Sequence, residues 1–162
     1  MIELVNETFG QKEAYTPDKI KQEFGAEEPF DLVKDIPHIH EVKQQNRDFD
    51  LYKRAYHVFT EAQRVHLFKN TCQDPSIPEE EKIAKLGKLM NESQLSCHMY
   101  YDCSSKNLEE ITQMARDNGA LGSRLTGAGW GGCSVSLVKK DILETFIDKM
   151  YDYYTKEREP GE

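Results

Sequence analysis

Half of the ten glycines in this 162-residue chain fall between Gly122 and Gly132, within the stretch GSRLTGAGWGGCSVSLV over 122–138. Glycine allows positive φ and close backbone approach, and successive N–H groups in such a loop can form a concave nest that attracts phosphate. In that role Ser123, Arg124 and Thr126 would add charge and hydroxyl donors at the rim. The arrangement is neither of the two common nucleotide motifs. It lacks GxxxxGK[ST], and GAGWGG has no third glycine at the dinucleotide position and is followed by a strand pattern, not a helix. By chemistry alone, a phosphate-binding loop and a plain Gly-rich hairpin stand level.

Other candidates are weaker. Arg54, His57, Glu61 and Arg64 form a polar row at helical spacing, which reads as a salt-bridged surface or interface row before a catalytic one. His38 and His40 share a loop with nothing acidic or sulfur-bearing placed to complete a metal site. Cys97 and Cys103 are six apart, which matches no common zinc spacing, and no CxxC pair occurs. Four reduced, mostly half-buried thiols (Cys72, Cys97, Cys103 and Cys133) are expected in a cytoplasmic protein. No nucleophile–base pair stands out, so no catalytic residue and no metal ligand is assigned.

The elements that must hold these residues follow from the apolar pattern. Apolar residues make up 38% and charged residues 31% of the chain. A chain of this length buries roughly 70% of its unfolded surface, so it can build a core. The net charge of −8 repels nucleic acid overall, and no membrane span or signal peptide is visible. Residues 1–48 read as short helices and loops, with Thr16 capping a helix that starts at Pro17 and ends at Gly25. From Phe49 to Cys72 the positions Leu51, Ala55, Val58, Phe59, Ala62, Val65 and Phe68 predict a helix with that side buried. A second helix is predicted from Pro78 to Met99, with Glu79, Glu80 and Glu81 at its positive start. Its interior Asn91, Glu92 and Ser93 are poor helix choices unless they hydrogen-bond something. A third helix starts near Asn107 and stops at Asn118-Gly119. Paired strands over 121–126 and 133–138 come next, then a helix capped by Asp141 with Ile142, Phe146, Ile147 and Met150 on one side. The order helix–strand–strand–helix is most of a ferredoxin-like α+β layer. Two strands are marginal alone, so further strands are expected and the chain looks incomplete.

GSRLTGAGWGGCSVSLV resembles the third, C-terminal signature of the GHMP small-molecule kinases, and most of all their eukaryotic galactokinase and N-acetylgalactosamine kinase branch. LYKRAYHVFTEAQRV at 51–65, LGKLMNESQLSCHMYYDCS at 86–104 and NLEEITQMARDNGALGS at 107–123 agree in the expected order. The resemblance implies that 49–162 is the C-terminal α+β domain of such a kinase, with the N-terminal catalytic domain and the last strand absent. It implies transfer of the ATP γ-phosphate to the 1-hydroxyl of galactose or N-acetylgalactosamine, with Mg²⁺, in the complete enzyme. The missing domain would be the partner, and this chain alone would bind no cofactor tightly and show no turnover. Gly127, Ala128, Gly129 and Gly131 would be the backbone nearest the phosphates. Ser123, Arg124, Thr126, Trp130 and Gly132 would support them, with Trp130 packing the loop. Asn91, Glu92 and Ser93 would face the domain junction. Galactose-sensing regulators built on the same scaffold are the alternative.

Overall fold

The computed structural model describes residues 1–9, 13–25 and 48–156. The chain divides into two compact units, Met1–Tyr56 and His57–Glu162. The His38/His40 pair and the tail after Lys156 lie outside the described residues.

The first unit holds α1 (Ile2–Thr8) and α2 (Pro17–Phe24). The Thr16 hydroxyl accepts from the Lys19 N–H at 3.2 Å, Pro17 opens the helix, and Gly25 closes it at φ +66, as the sequence predicts. Tyr15 and Phe49 exchange backbone hydrogen bonds of 2.8 Å each way. The Tyr15 ring is almost wholly buried against Phe9 and Phe24, so aromatic packing supplies this unit's core.

The long helix α3 (Leu51–Gln73) runs from the first unit into the second. Its buried side is not the one its apolar residues predict. Val58, Val65 and Phe68 are exposed, while His57 and Thr60 are buried. The physical reason is the surface it meets, which is polar: His57 Nδ1 lies 2.9 Å from Ser96 Oγ, and Glu61 reaches Ser93 and Arg124. Those partners satisfy the polar row from His57 to Arg64, so its burial is not penalised.

After α3 come α4 (Glu79–Ser96), a π-helical turn (Cys97–Tyr101) and α5 (Lys106–Asp117). The cap of α5 is Ser105, whose Oγ accepts from Leu108 N at 3.3 Å, so the helix starts one residue before the predicted Asn107. The strands β1 (Gly122–Thr126) and β2 (Cys133–Leu137) pair antiparallel with Arg124 opposite Val135. A 3₁₀ turn (Lys140–Ile142) occupies the position where an Asp141 cap is predicted, and α6 (Leu143–Lys156) follows it. The fold is α+β. Among the described residues the sheet has these two strands, not the larger ferredoxin-like sheet that was expected.

One face of the sheet meets the core. Leu125 packs with Cys97, Cys103, Leu108 and Ile111, and Met150 and Tyr153 of α6 close over them. The four thiols are free but do not share one degree of burial: Cys97 and Cys103 are buried, Cys72 and Cys133 exposed. Burial, then the adjacent Cys103, pushes the Cys97 thiol up to about 12, so it packs as a small apolar side chain.

Candidate functional site

The site is built around the bend that joins β1 to β2. Helix α4 lies against β1 so closely that the two backbones touch. A Cβ added at Gly87 would stand 2.5 Å from the Leu121 carbonyl oxygen, and one at Gly122 would stand 2.7 Å from the Gly87 Cα. That approach brings two carboxamides of α4 onto the edge of β1. Asn91 accepts from Ser123 N at 3.0 Å and donates to Leu121 O at 3.1 Å. Gln94 Oε1 accepts from Leu125 N at 2.7 Å, while its Nε2 donates to Glu109 at 2.6 Å and Ser104 at 3.1 Å. Side chains thus do for this edge what a neighbouring strand would do. This explains Asn91 in mid-helix. Gln94 belongs to the same device, and the sequence reading missed it. The signal was its spacing, one turn after Asn91 on the same side of the helix.

The residues 127–132 form an exposed or half-exposed loop that is pinned at its centre. Trp130 N donates to Cys103 O at 2.6 Å, and the indole Nε1 donates to Asp102 O at 3.0 Å. Gly129 has φ +89, and a Cβ there would collide with the Cys103 carbonyl. The seat is the exit of the π-turn, where Asp102 is itself left-handed at φ +60. Trp130 therefore holds the loop through its two N–H groups and not by packing, since its side is 65% exposed. Gly127, Ala128 and Gly132 are exposed, and added Cβ atoms at Gly127, Gly131 and Gly132 would meet open space.

The rim residues are arranged differently from the sequence expectation. Ser123 is wholly buried and spends its hydroxyl on Ser136 Oγ at 2.9 Å. Arg124 is tied to Glu61 at 2.7 Å and to Leu125 O at 3.0 Å. Ser93 donates to Glu61 at 2.5 Å, and Arg64 holds the other carboxylate oxygen at 2.9 Å. Glu92 is exposed beside Lys88, and Thr126 is exposed at the loop's start. Ser123, Arg124, Asn91 and Ser93 therefore position the sheet and brace the loop from behind.

This brace is pH-sensitive. Burial lowers the His57 pKa from 6.5, with the Arg64 and Arg124 charges acting in the same direction against Glu61 and Ser96. Burial works to raise the Glu61 carboxyl, but the Ser93 hydroxyl, Arg64 and Arg124 outweigh it and hold it below its ordinary 4.5. Both groups have folded values below their unfolded ones. Each contribution is complete above the unfolded value and is lost as pH falls through the folded one. Acidification therefore removes the His57 contribution first, below pH 6.5, and the Glu61 contribution below pH 4.5. The melting temperature is expected to fall between about pH 7.5 and pH 5.5, and His57→Gln to flatten that slope. Thermal melts of the two proteins across this range are the check.

The structure thus gives an antiparallel strand pair joined by a pinned, glycine-lined bend within an α+β fold. The family comparison gives it a class: residues 75–156 match the model described as GHMP kinases C terminal, and the chain belongs to that family. The relatives are galactokinases. The chain is 39% identical to that of Dictyostelium discoideum over 95% of its own length and 33% of the relative's. It is 38% identical to that of Saccharomyces cerevisiae, over 85% of this chain and 26% of the relative. Among solved structures, Lactococcus lactis galactokinase complexed with galactose aligns with a TM-score of 0.55 at 30% identity, covering 64% of this chain and 26% of that one. The chain thus spans about a third of the length of the curated relatives it matches, or less. No helix among the described residues is long and apolar enough to cross a membrane.

Proposed function

We propose that residues 49–162 form the C-terminal wall of the cleft of a galactokinase-type sugar kinase. In the complete enzyme ATP, with Mg²⁺, would phosphorylate the 1-hydroxyl of galactose or N-acetylgalactosamine in the cytoplasm. The N-terminal domain would supply the other wall and the catalytic residues. In this reading Gly127, Ala128, Gly129 and Gly131 present bare backbone toward the phosphates. Trp130 and Gly132 fix the loop, and Glu92, the exposed member of the Asn91–Ser93 patch, would lie on the side toward the junction. The observation that carries the reading is the loop itself, open on one side and pinned on the other. An empty hairpin has no need of both, whereas a phosphate site needs a backbone that is accessible and preorganised. In this reading the N-terminal domain would also supply the Mg²⁺ ligands.

Positioning and electrostatic stabilisation of phosphoryl transfer need both walls. The isolated chain is therefore expected to show no galactose-dependent ATP turnover. A chimera in which this chain replaces the matching third of the Dictyostelium galactokinase is expected to phosphorylate galactose. Turnover by the chain alone, or a folded chimera without activity, would remove the proposal.

A further inference from the structure

Trp130 is the one tryptophan of the chain, and the fold does not account for its ring. It stands between Gly129 and Gly131 and takes φ +57, a left-handed conformation that strains any bulky side chain. Burial does not offset the strain, because the residue is 65% exposed. Its backbone N–H donates to Cys103 O and its indole Nε1–H to Asp102 O. Any residue in this place could make the first bond. Only the second needs an indole, and it occupies one edge of the ring. Among the described residues no other ring and no cation lies over the faces. An aromatic side chain that is strained, held at its polar edge and bare on its faces is a preorganised surface for an apolar ring.

The loop narrows what can rest on that surface. The ring springs from the middle of the glycine run, which the functional reading above gives to the transferred phosphate. The acceptor hydroxyl must lie in line with that phosphate. The acceptor sugar is therefore the body next to the ring, whereas a nucleobase is held away by its ribose and the remaining phosphates. Galactose suits an indole face. Its axial 4-hydroxyl leaves the hydrogens of C3, C4 and C5 together on one side, an apolar patch that packs against a π-face. N-Acetylgalactosamine carries the same patch, since its acetamide is on C2. In glucose the equatorial 4-hydroxyl sends the C4 hydrogen to the opposite side and breaks the patch.

We propose that Trp130 is the platform on which the acceptor sugar lies, and that it selects hexoses of the galacto configuration by their C–H face. The choice of ligand rests on the kinase reading. The exposure and anchoring of the ring do not.

Because the chain has a single tryptophan, its fluorescence reports on residue 130 alone. Galactose added to the full chain is expected to give a saturable blue shift as it displaces water from the ring, and glucose at equal concentration to give none. In the Dictyostelium chimera, Trp130→Ala is expected to raise the KM for galactose at least about tenfold, with the KM for ATP within about threefold of its starting value. Trp130→Phe removes the Nε1 bond but keeps a ring face, so it should recover most of that loss. With an active chimera the KM comparison decides. An unmoved galactose KM in Trp130→Ala removes the platform and leaves the kinase reading standing. A Phe variant as impaired as the Ala variant also overturns the proposal, since the anchor and not the face would then matter. So does a blue shift driven by adenosine instead of galactose. With a folded but inactive chimera the titration decides. A galactose shift then keeps the platform while the kinase reading falls, and no shift removes both.

Discussion

Gly87→Ala is expected to destabilise the second unit, although alanine is the better helix former. In an exposed helix the exchange would gain about 1 kcal/mol from backbone entropy and propensity. Here the new methyl group would lie 2.5 Å from Leu121 O and 2.6 Å from Leu121 C, both of them backbone atoms that cannot rotate aside. Helix α4 must move off β1. Moving it lengthens the Asn91 bonds to Leu121 and Ser123 and the Gln94 bond to the N–H of buried Leu125. Overpacking costs typically 1–3 kcal/mol, and each buried polar group left unpaired roughly 1–3 kcal/mol more, so a net loss of about 3 kcal/mol is expected. Denaturant melts of the full chain would read this as a lowered midpoint at unchanged slope. A rise in stability would show that the helix–strand contact yields easily and that the carboxamides do not depend on it.

The same contact shows why sequence reading reached some parts of the molecule and not others. Local signals carried through: Thr16-Pro17 and Gly25 delimit α2, and Asn118-Gly119 ends α5. The strand pair with its glycine bend also stands where the alternation predicts it. What failed depended on partners distant in the chain. The apolar residues of α3 predict a buried side, but Ser93, Ser96 and Arg124 turn the polar side inward. Periodicity reports how a helix divides its residues, not which side its neighbours are equipped to satisfy. Asn91 was recognisable as anomalous because a carboxamide in mid-helix asks for a partner. Its role as a substitute strand edge was not, because Leu121 and Ser123 lie about 30 residues away. Trp130 and Arg124 followed the same rule. Their positions near the loop were legible, but the atoms they bond were set by Asp102, Cys103 and Glu61 on other elements.

Gly129→Ala is expected to free the loop without unfolding the unit. A side chain at φ +89 is strained by about 1–2 kcal/mol wherever it stands. At Gly129 the Cβ also strikes the Cys103 carbonyl, which already accepts from Trp130 N. The cheapest relief is local, because the loop is exposed and its docking rests on two hydrogen bonds from Trp130. The cost to global stability is therefore capped by the free energy of lifting the loop. Amide exchange at Trp130 is expected to accelerate about 10- to 100-fold, while the melting midpoint moves by a few degrees at most. Gly127→Ala separates strain from collision, since it has φ +92 but its Cβ would meet nothing within 4 Å. It should carry the strain alone and leave Trp130 exchange nearly unchanged. In the Dictyostelium chimera, Gly129→Ala is then expected to lower kcat more than Gly127→Ala if the pinned bend is what aligns the phosphates. Equal losses would mean that the conformation of the glycines matters, but their attachment to the Asp102–Cys103 seat does not.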